Sequence, residues 1–241
     1  MHLILTGATG LIGAGVLQHM LAVPEVTQIS ILSRRPVAMA DGHDKAKVII
    51  HKDFDTYDKA VLEALKDAQG CVWALGVSQN AVNKTEFYKV THDYPVAAAK
   101  AFSTLHPESP FTFVLVSGEG ATQSPTMFTP HYGKVKGEAE ASLLELNKAT
   151  PNFRPISVRP AGVDWRHHPE IHPFIPQQAM YKKTLLPLID TVYKNMVTPT
   201  RPLSKILTEL ALSKGERLEG SDISGNGRIV SNVAIRRMAG L

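Results

Sequence analysis

The sequence predicts an α/β protein built on a doubly wound parallel sheet with a small C-terminal cap. Three observations predict it. Short apolar runs alternate with helix-length patterns over residues 2–158, the order that βαβ units and a parallel sheet require. A glycine-rich turn separates the first apolar run from the first helical pattern. The 241 residues are 44% hydrophobic and 20% charged, which suits one domain with a substantial core and argues against disorder.

The elements follow in order. Residues 2–5 read as the first strand. Residues 11–22 read as a helix, with Leu11, Ile12, Val16, Leu17, Met20 and Leu21 on one broad face and Pro24 just past its end. Residues 28–32 and 48–51 are the next strands, 57–68 a helix and 71–75 a fourth strand. Residues 85–103 read as a helix with Val90, Tyr94, Ala97, Ala98 and Ala101 inward. A fifth strand spans 111–116, a helix 134–148 and a sixth strand 154–158. Right-handed crossovers then place a ligand at the carboxyl ends of the strands. The single domain, 1–241, divides into a core, 1–163, and a cap, 164–241, too short and interrupted to hold a core of its own.

Bulk properties exclude several classes. The formal net charge is +4 with scattered basic residues, a weak footprint for nucleic acid. One cysteine, Cys71, forbids an intramolecular disulfide. Its apolar context reads as a buried strand thiol rather than a nucleophile. The first 23 residues lack a basic start and carry four glycines, so they read as strand, turn and helix rather than a signal peptide. No apolar stretch is long enough to span a bilayer. A cytoplasmic protein without an integral membrane segment is the expectation.

Gly7-Ala8-Thr9-Gly10-Leu11-Ile12-Gly13 lies directly between the first strand and the first helix. Gly7 permits the tight turn, Gly10 lets the backbone approach a pyrophosphate, and Gly13 lets helix and strand pack closely. Thr9, Gly10, Leu11 and Ile12 stand where free N–H groups meet phosphates at the positive end of the helix. A lone glycine triplet is weak; in a strand–turn–helix context it signals a dinucleotide site.

The end of the second strand selects the dinucleotide. NAD sites place an acid there for the ribose hydroxyl. This chain has Ser33-Arg34-Arg35-Pro36 instead. Two guanidinium groups can hold a 2′-phosphate through charge-assisted bonds, which favours NADP(H) over NAD(H). A solvated surface pair is the plainer alternative. Asp53 and Phe54, after the third strand, are placed to meet the adenine, or to form an ordinary polar turn.

Tyr132 and Lys136 form a Y-x-x-x-K pattern entering a helix. Positions four apart share a helical face. A lysine ammonium near a tyrosine phenol favours the phenolate. Such a phenol can give or take a proton at a carbonyl or alcohol while hydride moves to or from nicotinamide, and Lys136 can also bind the nicotinamide ribose. The plainer alternative is a helix-start tyrosine with exposed lysines.

At these residues the chain resembles the short-chain dehydrogenase/reductase superfamily. It is most similar to the atypical members that share features with NAD-dependent epimerases and TIP30-like oxidoreductases. The matching stretches are Thr6 to Gly13, Ser33-Arg34-Arg35, Val116-Ser117-Gly118-Glu119-Gly120-Ala121, Tyr132 with Lys136, and Arg159-Pro160-Ala161-Gly162-Val163. The resemblance implies the Rossmann fold with a substrate cap. It implies that Tyr132 is the acid/base, that Lys136 tunes it and holds ribose, and that Ser117 orients the substrate oxygen. Pro160, Gly162 and Val163 would line the nicotinamide; Ala74, Leu75 and Gly76 would line the adenosine side. Ser117 lies farther from Tyr132 than the family's usual gap, and Gly118 stands where many relatives carry a second serine. The hydroxyl role is therefore open among Ser117, Thr122 and Ser124, or vacant. Thr91-His92 occupies the neighbourhood of the family's helix asparagine.

In the cap, His167-His168-Pro169-Glu170-Ile171-His172 fits neither H-E-x-x-H nor a Cys/His zinc spacing. It reads as a polar wall of the substrate pocket, with Trp165, Phe174, Met180 and Tyr181 as pocket or core residues. Helical patterns follow at 182–196 and 204–214. The amphipathic stretch 185–196 reads as a cap helix, with a homodimer or membrane-surface helix as alternatives. Asn226-Gly227 reads as a surface turn and Arg236-Arg237 as part of the terminus.

The leading expectation is an NADP(H)-dependent oxidoreductase acting on a small or medium apolar carbonyl or alcohol. A second expectation keeps the site without net redox chemistry: an isomerase, epimerase, dehydratase or cyclase in a biosynthetic pathway. A third is a dinucleotide-sensing or protein-binding regulator. Fold alone does not choose among them.

Overall fold

The computed structural model describes residues 1–177 and 196–241. The sequence-predicted helix at 182–196, except Met196, and the pocket candidates Met180 and Tyr181 lie outside the described residues.

The first strand, β1 (His2–Thr6), is flanked by β2 (Gln28–Ser33) and β4 (Gly70–Trp73), both parallel to it. Beyond them lie β3 (Ala46–Ile50) on one side, then β5 (Phe111–Val116) and β6 (Phe153–Val158) on the other. The order β3-β2-β1-β4-β5-β6 reverses direction at β1 and β4, the doubly wound arrangement. The strands read as continuous apolar runs because both faces are covered. Alternate side chains feed two cores. Leu3 and Leu5 face α1 (Leu11–Ala22). Ile4 faces an aromatic layer containing Trp73, Phe102, Phe111, Phe113 and Phe153. Phe113 is fully buried there between the rings of Trp73, Phe102 and Phe153. Phe113→Ala is expected to lower stability by about 3–5 kcal/mol, read as a lower urea midpoint.

On the aromatic side lie α2 (Lys59–Leu65), α4 (Tyr94–Phe102) and α5 (His131–Ala149), and α3 (Lys84–Tyr88) leads into α4. Asp58 caps α2 and Asn83 caps α3, each accepting from a backbone N–H three residues on. The predicted single helix at 85–103 is broken by a π-helical turn, Lys89–Asp93. Pro95 has no N–H to offer the Thr91 carbonyl four residues back, so the ladder shifts there. The predicted helix at 134–148 starts earlier, at His131, which brings Tyr132 into its first turn.

The largest differences from the sequence reading lie after residue 196. Helix α6 (Thr200–Leu212) joins the core beside α1 through Leu203, Ile206, Leu207 and Leu210. Gly15 of α1 permits this approach, since a Cβ there would collide with Ser204 Oγ. Strand β10 (Ile229–Val230) adds to β6 in parallel, and β9 (Ile223–Ser224) pairs with it antiparallel. Asn226-Gly227 is the turn between them, with both residues at positive φ. Arg236 and Arg237 sit in α7 (Asn232–Met238) rather than in a loose tail. Much of the segment expected as a cap is therefore sheet and sheet-covering helix. Outside the main sheet, β7 (Gly162–Asp164) and β8 (Val197–Pro199) form a two-stranded parallel pair.

Cys71 is fully buried in β4, and burial pushes its thiol well above the ordinary cysteine value, as a structural thiol requires. Among the described residues no helix is long and apolar enough to cross a membrane.

Candidate functional site

The glycine turn leaves β1 at Gly7, whose φ of +70° is left-handed. A Cβ on Gly7 would collide with the Ala74 carbonyl, and one on Gly13 with the Gly7 carbonyl. A Cβ on Gly10 would meet only the Gly7 carbonyl, at 3.2 Å. Gly7 and Gly13 are thus fixed by packing, whereas at Gly10 a Cβ would only press closely on the Gly7 carbonyl. Gly10 is the N-cap of α1 and offers no side-chain acceptor to the first-turn N–H groups, and that turn carries no acid. These are the features that an anionic group at a helix start needs. Thr6 Oγ1 accepts from Leu75 N (3.2 Å), which ties the ends of β1 and β4 together under the turn.

Two clefts flank the turn and adjoin at Leu75. One, of about 440 Å³, is lined by Gly7, Thr9, Ser33, Arg34, Arg35 and Phe54. Arg35 donates to Thr9 Oγ1 (3.1 Å), and the Ser33 hydroxyl donates to the Arg35 carbonyl (2.7 Å). The Asp53 carboxylate accepts from Asp55 N and Thr56 Oγ1 within its own turn. That backbone donor holds its carboxyl below the ordinary aspartate value. Phe54 packs edge-on against His51 and Trp73 and presents to the cleft.

The other cleft, of about 290 Å³, runs along the carboxyl ends of β4 and β5. Its walls include Gly10, Leu11, Ile12, Ala74, Leu75 and Gly76, then Thr91, Ser117, Lys136 and Val163. Lys136 donates to the Ser117 carbonyl (2.7 Å). Burial pulls the Lys136 ammonium down to about 8, with Glu140 opposing that shift. Tyr132 does not itself line the cleft. It is half-buried, one helical turn before Lys136, with its hydroxyl against Gly120: a Cβ there would lie 2.7 Å from it.

Ser117 lines the cleft, but its hydroxyl donates to Glu140 Oε1 (2.6 Å). Glu140 is fully buried, and Arg159 grips it with two donors, Nε at 2.9 Å from Oε1 and Nη2 on Oε2. Sequence reasoning missed Glu140. The signal was there: Tyr132, Lys136 and Glu140 are spaced four apart on one face of α5. Asn232 was also missed. It is buried at the start of α7, and its Oδ1 accepts from Ala161 N (3.0 Å) and Thr198 Oγ1 (3.0 Å). Glu119 accepts from Asn232 N and donates its own N–H to the Pro160 carbonyl. These bonds fix residues 117–121 against the Arg159–Val163 stretch. Of the expected nicotinamide-side residues, Val163 reaches the cleft, Pro160 anchors the loop, and Gly162 opens β7.

The histidine-rich stretch lines neither of the two clefts. His168 is buried between Thr200 Oγ1 (2.9 Å) and Gln18 Oε1 (3.3 Å), and His172 Nε2 lies 2.9 Å from the Trp165 carbonyl. Trp165 packs into the core beneath. These side chains pin the loop to α1 and α6 because buried polar groups need partners. Phe174 is partly exposed and does not line the cleft. His92 lies between Asp93 and Ser142, while Thr91, on the π-helical turn, reaches the cleft.

No family model matches the chain. It is 32% identical to Leucinostatins biosynthesis cluster protein T of Purpureocillium lilacinum, over 98% of this chain and 94% of that protein. It is 40% identical to Botcinic acid biosynthesis cluster B protein 16 of Botryotinia fuckeliana, over 60% of this chain and 97% of that protein. In structure it matches a short chain dehydrogenases/reductase from Saccharomyces cerevisiae at a TM-score of 0.67 and 16% identity, covering 96% of this chain and 95% of the other. The chain belongs to one family with Leucinostatins biosynthesis cluster protein T, and its fold is that of the short-chain dehydrogenases/reductases. The Bordetella bronchiseptica enzyme WbmF, in a complex with NAD+, matches this chain at a TM-score of 0.66 and 12% identity, over 99% of this chain and 78% of WbmF.

Proposed function

We propose that this chain is an NADP(H)-dependent oxidoreductase of a biosynthetic pathway, acting on a small or medium apolar carbonyl or alcohol. One observation carries the reading. The two clefts adjoin at Leu75, so Arg34 and Arg35, the glycine turn and Lys136 lie along one trough at the carboxyl ends of the strands. That is the order of 2′-phosphate, pyrophosphate and nicotinamide ribose along the ligand. The naming of two relatives for biosynthesis clusters supports a pathway role.

The chain's own residues then have these roles. Arg34 and Arg35 hold the 2′-phosphate, and no acid stands at the end of β2 to oppose it. Gly10, Leu11 and Ile12 bring α1 N–H groups to the pyrophosphate. Lys136 holds ribose, and Tyr132, one helical turn before it on α5, gives or takes the proton at the substrate oxygen. When bound, the nicotinamide supplies or accepts hydride at the substrate carbon. The apolar walls, Leu11, Leu75, Leu115 and Val163, exclude water from that exchange.

Arg34→Ala with Arg35→Ala is expected to weaken NADPH binding about 10- to 100-fold while leaving NADH nearly unchanged. Equal loss for both nucleotides in calorimetry would contradict the selectivity. A carbonyl screen tests the chemistry, and one NADPH consumed per product supports it. A second reading, a non-redox isomerase, epimerase, dehydratase or cyclase, is favoured by one observation: the Ser117 hydroxyl donates to Glu140. Product without net NADPH consumption would select that reading.

A further inference from the structure

We propose that Glu140 is the positioning residue of this site: clamped by Arg159, its buried carboxylate draws in the Ser117 hydroxyl, sets the Ser117 carbonyl on Lys136, and keeps Lys136 a cation in the cleft. The inference rests on the reading of Lys136 as part of the functional site.

Four bonds make the assembly. Arg159 grips both oxygens of Glu140, Ser117 Oγ donates to one of them, and the Ser117 carbonyl accepts from Lys136 Nζ. A fully buried carboxylate is expensive to keep in a fold. Here it sits one helical turn from the lysine whose charge the cleft uses. It reaches that lysine twice, through space along α5 and through the Ser117 backbone. The groups packed around Lys136 leave Glu140 as its principal anion. On α5 are Tyr132 and Glu140. The strap after β5 brings Glu119, whose carboxylate accepts from Asn232 N. The end of β6 brings Arg159, which is turned onto Glu140. The π-helical turn brings His92, held by Asp93 and Ser142. Burial draws the Lys136 ammonium down and Glu140 holds it up. Without Glu140, burial acts alone and the amine becomes neutral at lower pH. With Glu140 in place, the serine serves the site through its carbonyl and through the carboxylate, not through a bond from its hydroxyl to substrate.

The test uses the nucleotide-free protein and does not depend on turnover. Lys136 is acylated with acetic anhydride from about pH 6 to about pH 11, and its labelling is quantified by peptide mass spectrometry, so that the rate reports the neutral amine. The unmodified protein should give a midpoint near 8. Glu140→Gln should move it down by about one unit, a tenfold larger neutral fraction at a fixed pH below both midpoints. Glu140→Asp, which keeps the charge, should restore most of that shift. Leaving Arg159 unpaired endangers folding of the single variant. Glu140→Leu with Arg159→Met removes both ends of the pair and should show the same downward shift, since Glu140 is the charge that Lys136 feels. A merely structural ion pair would change the unfolding midpoint and leave the Lys136 titration alone. An unchanged Lys136 midpoint in a folded variant lacking Glu140 overturns the proposal. A protein that binds no NADP(H), yet shows the shift, would contradict the proposed function and leave this assignment standing.

Discussion

Tyr132→Phe is expected to lower turnover by about 10²- to 10⁴-fold, the range that a positioned proton donor contributes. NADPH affinity and thermal stability should stay nearly unchanged. The substitution removes one oxygen and keeps the ring, and that oxygen lies against Gly120 rather than in the core. Tyr132 is also absent from the walls of the cleft, so the nucleotide loses no contact with it. The check is steady-state kinetics with a substrate from the carbonyl screen, set beside calorimetry of the same variant. Turnover equal to that of the unmodified protein would remove Tyr132 from the chemistry.

The second large effect belongs to the glycine turn, where the three glycines separate by role. Gly10→Val should fold, because the Cβ meets only the Gly7 carbonyl, which has to give by a few tenths of an ångström rather than be displaced. It should weaken NADPH binding by about 100-fold or more, roughly 2.7 kcal/mol, because the branched side chain fills the approach to the first turn of α1. Gly7→Val and Gly13→Val should instead fail to fold stably, since their side chains collide with backbone. Circular dichroism and calorimetry on the three variants distinguish local from global loss. A Gly10→Val protein that binds NADPH normally would place the pyrophosphate elsewhere.

The elements that position the site were legible where a local pattern sufficed. The span 11–22 matches α1 because its apolar face, its opening glycines and the following Pro24 all agree. Strand β5 matched for the same reason, a continuous apolar run between turns. The Tyr132–Lys136 spacing was visible because four residues make a helical turn. What lay beyond local pattern was the destination of a side chain. Nothing near Ser117 in the chain shows that its hydroxyl meets a carboxylate 23 positions away, or that Arg159 closes on the same group. Strands β9 and β10 hold two residues each, too short for any periodicity, and exist because β6 offers an open edge. Asp53 shows a local principle that the sequence reading weighed: an Asp after a strand accepts from its own turn. The histidines at 168 and 172 show another, since each is committed to tying a loop down.

The central claim is that the trough past Arg34, Arg35, Gly10 and Lys136 holds a phosphorylated dinucleotide. Titration of the purified, unmodified protein with NADPH and with NADH by calorimetry tests it most directly. The account predicts one-to-one NADPH binding at least about tenfold tighter than NADH, a difference of about 1.4 kcal/mol. Binding of neither nucleotide would contradict it and would make Tyr132 and Lys136 parts of a scaffold.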